Sequence, residues 1–293
     1  MKTKLLTLSL LCAGLIGAAQ PILAMEAPSA SATSASSAAP DPAQQIRDLS
    51  RKLRSNDLAG LISALVPPAK YQQLREAYEL ARVEPTTAEE RAKFDQEYAK
   101  LVGPDAVDTL MAEIEPKLEE ARPQAAGAVM MGIGALQMAV ASPDSEMTEA
   151  QRAALRAALP GLQQWVTTTD FLSSQSMRQA LSLISGAARN TGVAKLDQLK
   201  MLSFEELLAK AGSVLAASKQ AVRIYGLDLD QITDSIQVQV LAIEGQTARV
   251  RTTLTVFDAP IATEHELVLV DGRWYGKDAI VTWTVDGDAQ TEG

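Results

Sequence analysis

His265 is the one histidine of the chain, set between Glu264 and Glu266 in the run Thr263 to Val270. A histidine beside a carboxylate can shuttle protons, the arrangement that general acid–base catalysis uses. No second histidine and no nucleophile accompanies it, so the stronger expectation is a solvated or hydrogen-bonded structural histidine at the start of a strand. Arg249 and Arg251 alternate along the polar side of a neighbouring run, where two guanidinium groups could clamp a carboxylate or a phosphate. Charges that solvate and protect a sheet are the commoner use of that pattern. Asp228, Asp230 and Asp234 lack the glycine and terminal glutamate of a calcium loop and read as caps or turn residues. Glu89-Glu90 and Glu113, Glu115, Glu119 and Glu120 fall at helical spacing and read as solvated faces. Ser-x-x-Lys, Gly-x-Ser-x-Gly, phosphate-loop and zinc motifs are absent from the sequence, so no catalytic residue, metal or cofactor is assigned.

Before any of these groups can act, the chain must be delivered and folded. Lys2 and Lys4 precede the uncharged run Leu5 to Ala19, and Ala24 follows Ile22-Leu23 at a signal-peptidase position, so residues 1–24 read as a cleaved secretory signal. The alternative is a lipoprotein acylated at Cys12, against which stand the bulky Leu11 and an apolar run that continues past the cysteine. Cys12 is the one cysteine, so loss of the leader would leave no thiol, disulfide or cysteine metal ligand. It would also remove two lysines and no acid, deepening a formal net charge of −9 by two. That balance disfavours nucleic acid and electrostatic attachment to anionic lipid. Residues 25–42, rich in alanine, serine and proline, read as a disordered linker, and residues 287–293 as a flexible tail.

The positioning elements follow from hydrophobic period. From Ile236 the apolar residues fall at every second position, and the alternation resumes from Ala248 to Val256, from Thr263 to Val270 and from Arg273 to Val285. Glu244-Gly245-Gln246, Asp258-Ala259-Pro260 and Asp271-Gly272 separate the runs, the last being a two-residue hairpin dipeptide. The spacing predicts a four-stranded antiparallel meander, its last strand reaching Trp283 with a bulge at Gly276 to Asp278. Such a sheet needs a cover, and the capping box at Ser203 opens an amphipathic helix to Tyr225 that is expected to lie across it.

Upstream, Asp41-Pro42, Asn56-Asp57, Pro67-Pro68, Thr87 to Glu90, Gly103-Pro104, Thr148 and Ser174 each open a helical run. Pro160 is expected to bend or split the helix that starts after Thr148. Ala125 to Ala141 is 17 residues without a charge. Read boldly it is a membrane span; its length, its alanine and glycine content and Gln137 favour the buried central helix of a bundle. The fold class is therefore α+β, with a helical domain over 43–200 and an α+β unit over 201–286.

Asn56-Asp57-Leu58 through Leu61 to Pro67 and Tyr71, with Val270-Asp271-Gly272-Arg273-Trp274-Tyr275, resembles the nuclear transport factor 2-like (SnoaL-like) pattern of an opening helix pair and a curved antiparallel sheet. The whole chain is similar to uncharacterised exported proteins of gamma-proteobacteria. That resemblance implies a periplasmic setting and no particular activity. No position matches a catalytic motif of the cone-fold enzymes, so none is carried over. The expectation is a non-catalytic periplasmic protein that binds a partner protein or a small apolar ligand and has no stable membrane span after signal cleavage. Two alternatives stand beside it: a cone-fold isomerase or hydrolase using His265 with a carboxylate, and an immunity or inhibitor protein.

Overall fold

A computed structural model describes residues 40–142, 147–277 and 279–280. The expected leader, the Cys12 acylation alternative, nearly all of the linker, Trp283 and the tail lie outside them. Among the described residues ten helices precede a four-stranded antiparallel sheet of order β1-β2-β3-β4, so the chain is an α+β protein.

The helices begin where their caps dictate. Asp41 accepts from the amide of Ala43 to open α1 (Pro42–Arg54), so residues 41–42, given to the linker, belong to the first helix. Asp57 caps α2 (Leu58–Leu65), and Pro68 opens α3 (Pro68–Val83). Full capping boxes at Thr87, Thr148 and Ser203 start α4 (Ala88–Val102), α6 (Glu149–Thr168) and α9 (Phe204–Ile224). Between α4 and α6 runs α5 (Ala106–Ala141), a single 36-residue helix that passes through Pro116 and Pro123. Likewise α6 continues through Pro160 instead of splitting. Ser173 caps α7 (Ser174–Asn190), and the short α8 (Leu196–Met201) and α10 (Leu229–Asp234) complete the set.

The meander has β1 (Gln237–Glu244), β2 (Thr247–Val256), β3 (Ala259–Val270) and β4 (Arg273–Gly276). A bulge between Val240 and Ala242 breaks the alternation expected of β1: Val240 lies opposite Val250 on the core face, but Ala242 lies opposite Arg249 on the polar face. The β2–β3 turn is made by Phe257 and Asp258, both at positive φ, and not by Asp258 to Pro260. Pro260 sits in β3 opposite Thr255, one pair beyond the closing Val256–Ala259 pair. There the strand's missing N–H points away from β2 and costs no ladder bond. β4 is four residues long, and the backbone is already helical at Lys277, Ala279 and Ile280. The bulge expected inside a long last strand is thus its end.

The cover of the sheet also differs from expectation. Ala248, Val250, Leu267 and Trp274 form the buried face, and Ile46 of α1 packs on them with Val238, Val240 and Leu269. Trp274 is 2% exposed. Its indole N–H donates to the carbonyl of Pro40 at 2.6 Å, and its own amide donates to Oε1 of Gln45 at 2.9 Å. The Gln45 amide group donates in turn to the Trp274 carbonyl, so one carboxamide occupies the free edge of β4 as a further strand would.

Meanwhile α9 packs along α7 in the helical layer. Its buried positions include Gly212, Ala217 and Ala221, small residues that admit close neighbours. A Cβ at Gly212 would come within 2.4 Å of the Asn56 carbonyl oxygen. Amphipathic spacing shows that a face is buried, not what buries it. Because α1 belongs to the sheet and α9 to the helices, packing crosses the boundary expected at residue 200.

Candidate functional site

His265 lies in the middle of β3, not at its start, and is exposed. Its Nε2 is 2.9 Å from Oγ1 of Thr263 and 3.1 Å from Oγ1 of Thr252. These hydroxyls hold the ring against the sheet. On the opposite face, Arg251 donates to Oε1 of Glu264 at 2.6 Å, and Lys277 to Oε1 of Glu266 at 2.9 Å. Arg249 stands across the ladder from Glu266. The face that carries both arginines is thus a lattice of cross-strand ion pairs, exposed and worth little individually.

Asp228 caps α10, accepting from the amides of Asp230 and Gln231 at 3.0 Å. The Arg223 guanidinium, followed by those amides, holds its carboxyl below the usual carboxylate range. Asp230 pairs with Lys219 Nζ at 2.8 Å and with Arg54 at 3.0 Å. Lys219, 5% exposed, also donates to the carbonyl of Leu53 at the end of α1. This buried knot ties α1, α9 and α10 together. Nothing in the spacing of one of two lysines within an amphipathic helix distinguished it. Among the described residues no group of three or more His, Cys, Asp or Glu is placed to hold a metal ion.

The feature least like ordinary core packing is the distal half of α5. Its uncharged stretch is not the buried helix expected of it. An 18-residue window of α5 has a mean hydropathy of 1.4, yet only 6% of that window is buried. By length and composition this helix could cross a membrane. Ala125, Val129, Ile133, Leu136 and Val140 make its half-buried side, and α6 packs against the helix. The outward side carries Met131, 73% exposed, and Met138, 71% exposed. With Gly134, Ala135, Gln137 and Ala141 these line a shallow depression open to solvent. A run of exposed apolar residues of this length is what interaction surfaces carry and what the rest of a soluble surface avoids. Unbranched, polarisable methionine suits such a surface because it adapts to what it meets.

The class that fold and surface define is a helix-rich α+β protein that presents a bare apolar helix. Comparison with protein-family models, with curated proteins and with solved structures finds no match.

Proposed function

We propose that this chain is a non-catalytic, exported binding protein of the cell envelope, and that it engages an apolar protein partner through the distal half of α5. The observation that carries the reading is the exposure of Ala125 to Ala141, 17 residues with no charge, on a chain of formal net charge −9. Exposed apolar surface of that extent is stabilised once it is covered. The depressions along it are open and shallow, which suits the side of a helix better than an enclosed small molecule. Export is supported by the Lys2 to Ala24 leader pattern. The nuclear transport factor 2-like reading is supported by α1 and α2 standing first among the described residues, with α1 packed on the meander. The enzyme reading has weaker support, because His265 is exposed and held by two threonine hydroxyls.

Two measurements test this. The intact mass of protein recovered from the envelope should lack residues 1–24; a mass retaining them, or carrying a lipid at Cys12, contradicts soluble export. A photo-crosslinking residue at Met131 or Met138 should capture protein in intact cells, and one at Arg249 should not. Equal capture at all three positions, or none at Met131 and Met138, overturns α5 as the docking surface.

A further inference from the structure

Building on α5 as the docking surface, we infer that its occupant is the same surface of a second copy, the two helices packing antiparallel about a two-fold axis between Met131 and Gly134. The outward side repeats Gly127, Met131, Gly134, Met138 and Ala141 at alternating intervals of four and three. That is the period of a seam that packs knobs into holes. In the antiparallel pair, Met131 of each copy faces Gly134 of the other, and Met138 faces Gly127. Each thioether fills the space above a residue with no side chain. A parallel pair would set methionine on methionine and leave glycine over glycine unfilled. The gaps exist in the single chain: a Cβ added at Gly127 or Gly134 would meet nothing within 4 Å.

Charge agrees with the same orientation. Arg156 of α6 lines a depression with Val140 and Ala141 at the far end of the seam. Antiparallel packing brings it opposite the stretch Gln124 to Ala126 of the other copy, about one helical turn from Glu120. The seam itself has no charge, so an acidic chain does not repel its copy at the contact. A lipid surface fits less well. The opposite side of the helix is half-buried in the fold with α6 against it, so the helix as folded is not free to be surrounded by lipid, and the bare side carries glycine, alanine and methionine without the basic residues and tryptophan of an interfacial helix. The seam is about 25 Å long, which makes a contact smaller than the standard of roughly 800 Å² per partner. The pair is therefore a reversible one that depends on concentration.

Sedimentation velocity on the protein purified from expressing cells should show the mass doubling between low and high micromolar concentration. Gly134→Leu and Met138→Glu should each hold it monomeric throughout, with helix content retained and melting not lowered, because both positions are exposed or open. In a Cys12→Ser background, Gly127→Cys and Met138→Cys should form a disulfide with each other when mixed, and neither with itself. A monomer at every concentration overturns the second copy, as does self-crosslinking of each cysteine variant, which reports parallel packing. Binding of the monomer to neutral phosphatidylcholine vesicles overturns it in favour of lipid. A monomer whose α5 crosslinks to another envelope protein overturns self-pairing but leaves the docking surface standing; loss of all α5-dependent capture removes both.

Discussion

The Lys219–Asp230 pair shows how one buried charge constrains its surroundings. Lys219 is 5% exposed, and its ammonium donates to Asp230 at 2.8 Å and to the Leu53 carbonyl. Taking Asp230 away leaves a cation in a site that water cannot reach; taking both charges away leaves a site that carbon can fill. Asp230→Ala should therefore cost about 3–5 kcal/mol, the range for a broken buried pair, and the double variant Lys219→Met/Asp230→Leu markedly less. Urea unfolding of the two variants checks the order, and equal losses would contradict it. At this scale the sequence was a partial guide. It read Asp228, Asp230 and Asp234 together as caps or turn residues, and Asp228 is a cap, because capping is local. The partner of Asp230 is 11 residues back along the chain, across a turn that brings α9 to α10, and no spacing rule reports such a meeting.

Among the elements, α6 and α5 make opposite demands on their glycines. Gly161 of α6 lies against the β2–β3 turn, where an added Cβ would come within 2.4 Å of both Cβ and the carbonyl oxygen of Phe257. That approach lets Phe257, held at φ 51°, pack on Trp165 with ring centroids 5.2 Å apart and planes tilted by 32°. Gly132 of α5 faces open space. Gly161→Ala should thus destabilise by about 1–3 kcal/mol, as overpacking does. Gly132→Ala should stabilise by up to about 1 kcal/mol through helix propensity alone. Thermal melts of the two variants should move in opposite directions. The sequence displays the same residue in both helices. Only the neighbour across the gap separates a glycine that a contact requires from one that a monomer does not need.

In the whole molecule, α1 is the link between layers. Ile46 and Gln45 meet the sheet, and Ser50 donates to the carbonyl of Thr233 in α10 at 3.1 Å. Arg54 reaches Asp230 and Asp234 beside α9. Sheet and helices should therefore unfold together. Helical ellipticity and tryptophan fluorescence are expected to report one midpoint in denaturant. Two separated transitions would show that the helical layer and the sheet are independent units.

The sequence by itself determined what depends on near neighbours in the chain: where helices start, which runs alternate, the hairpin at Asp271-Gly272, and hence an α+β fold ending in a meander. Caps, turns and periodicity act within a few residues, so they are written where they act. The tertiary structure alone decided which helix covers the sheet, that Ala125 to Ala141 stands exposed, and that Lys219 is buried on Asp230. Those outcomes depend on which surfaces meet across the fold. An apolar stretch has the same composition whether its neighbours shield it or leave it bare.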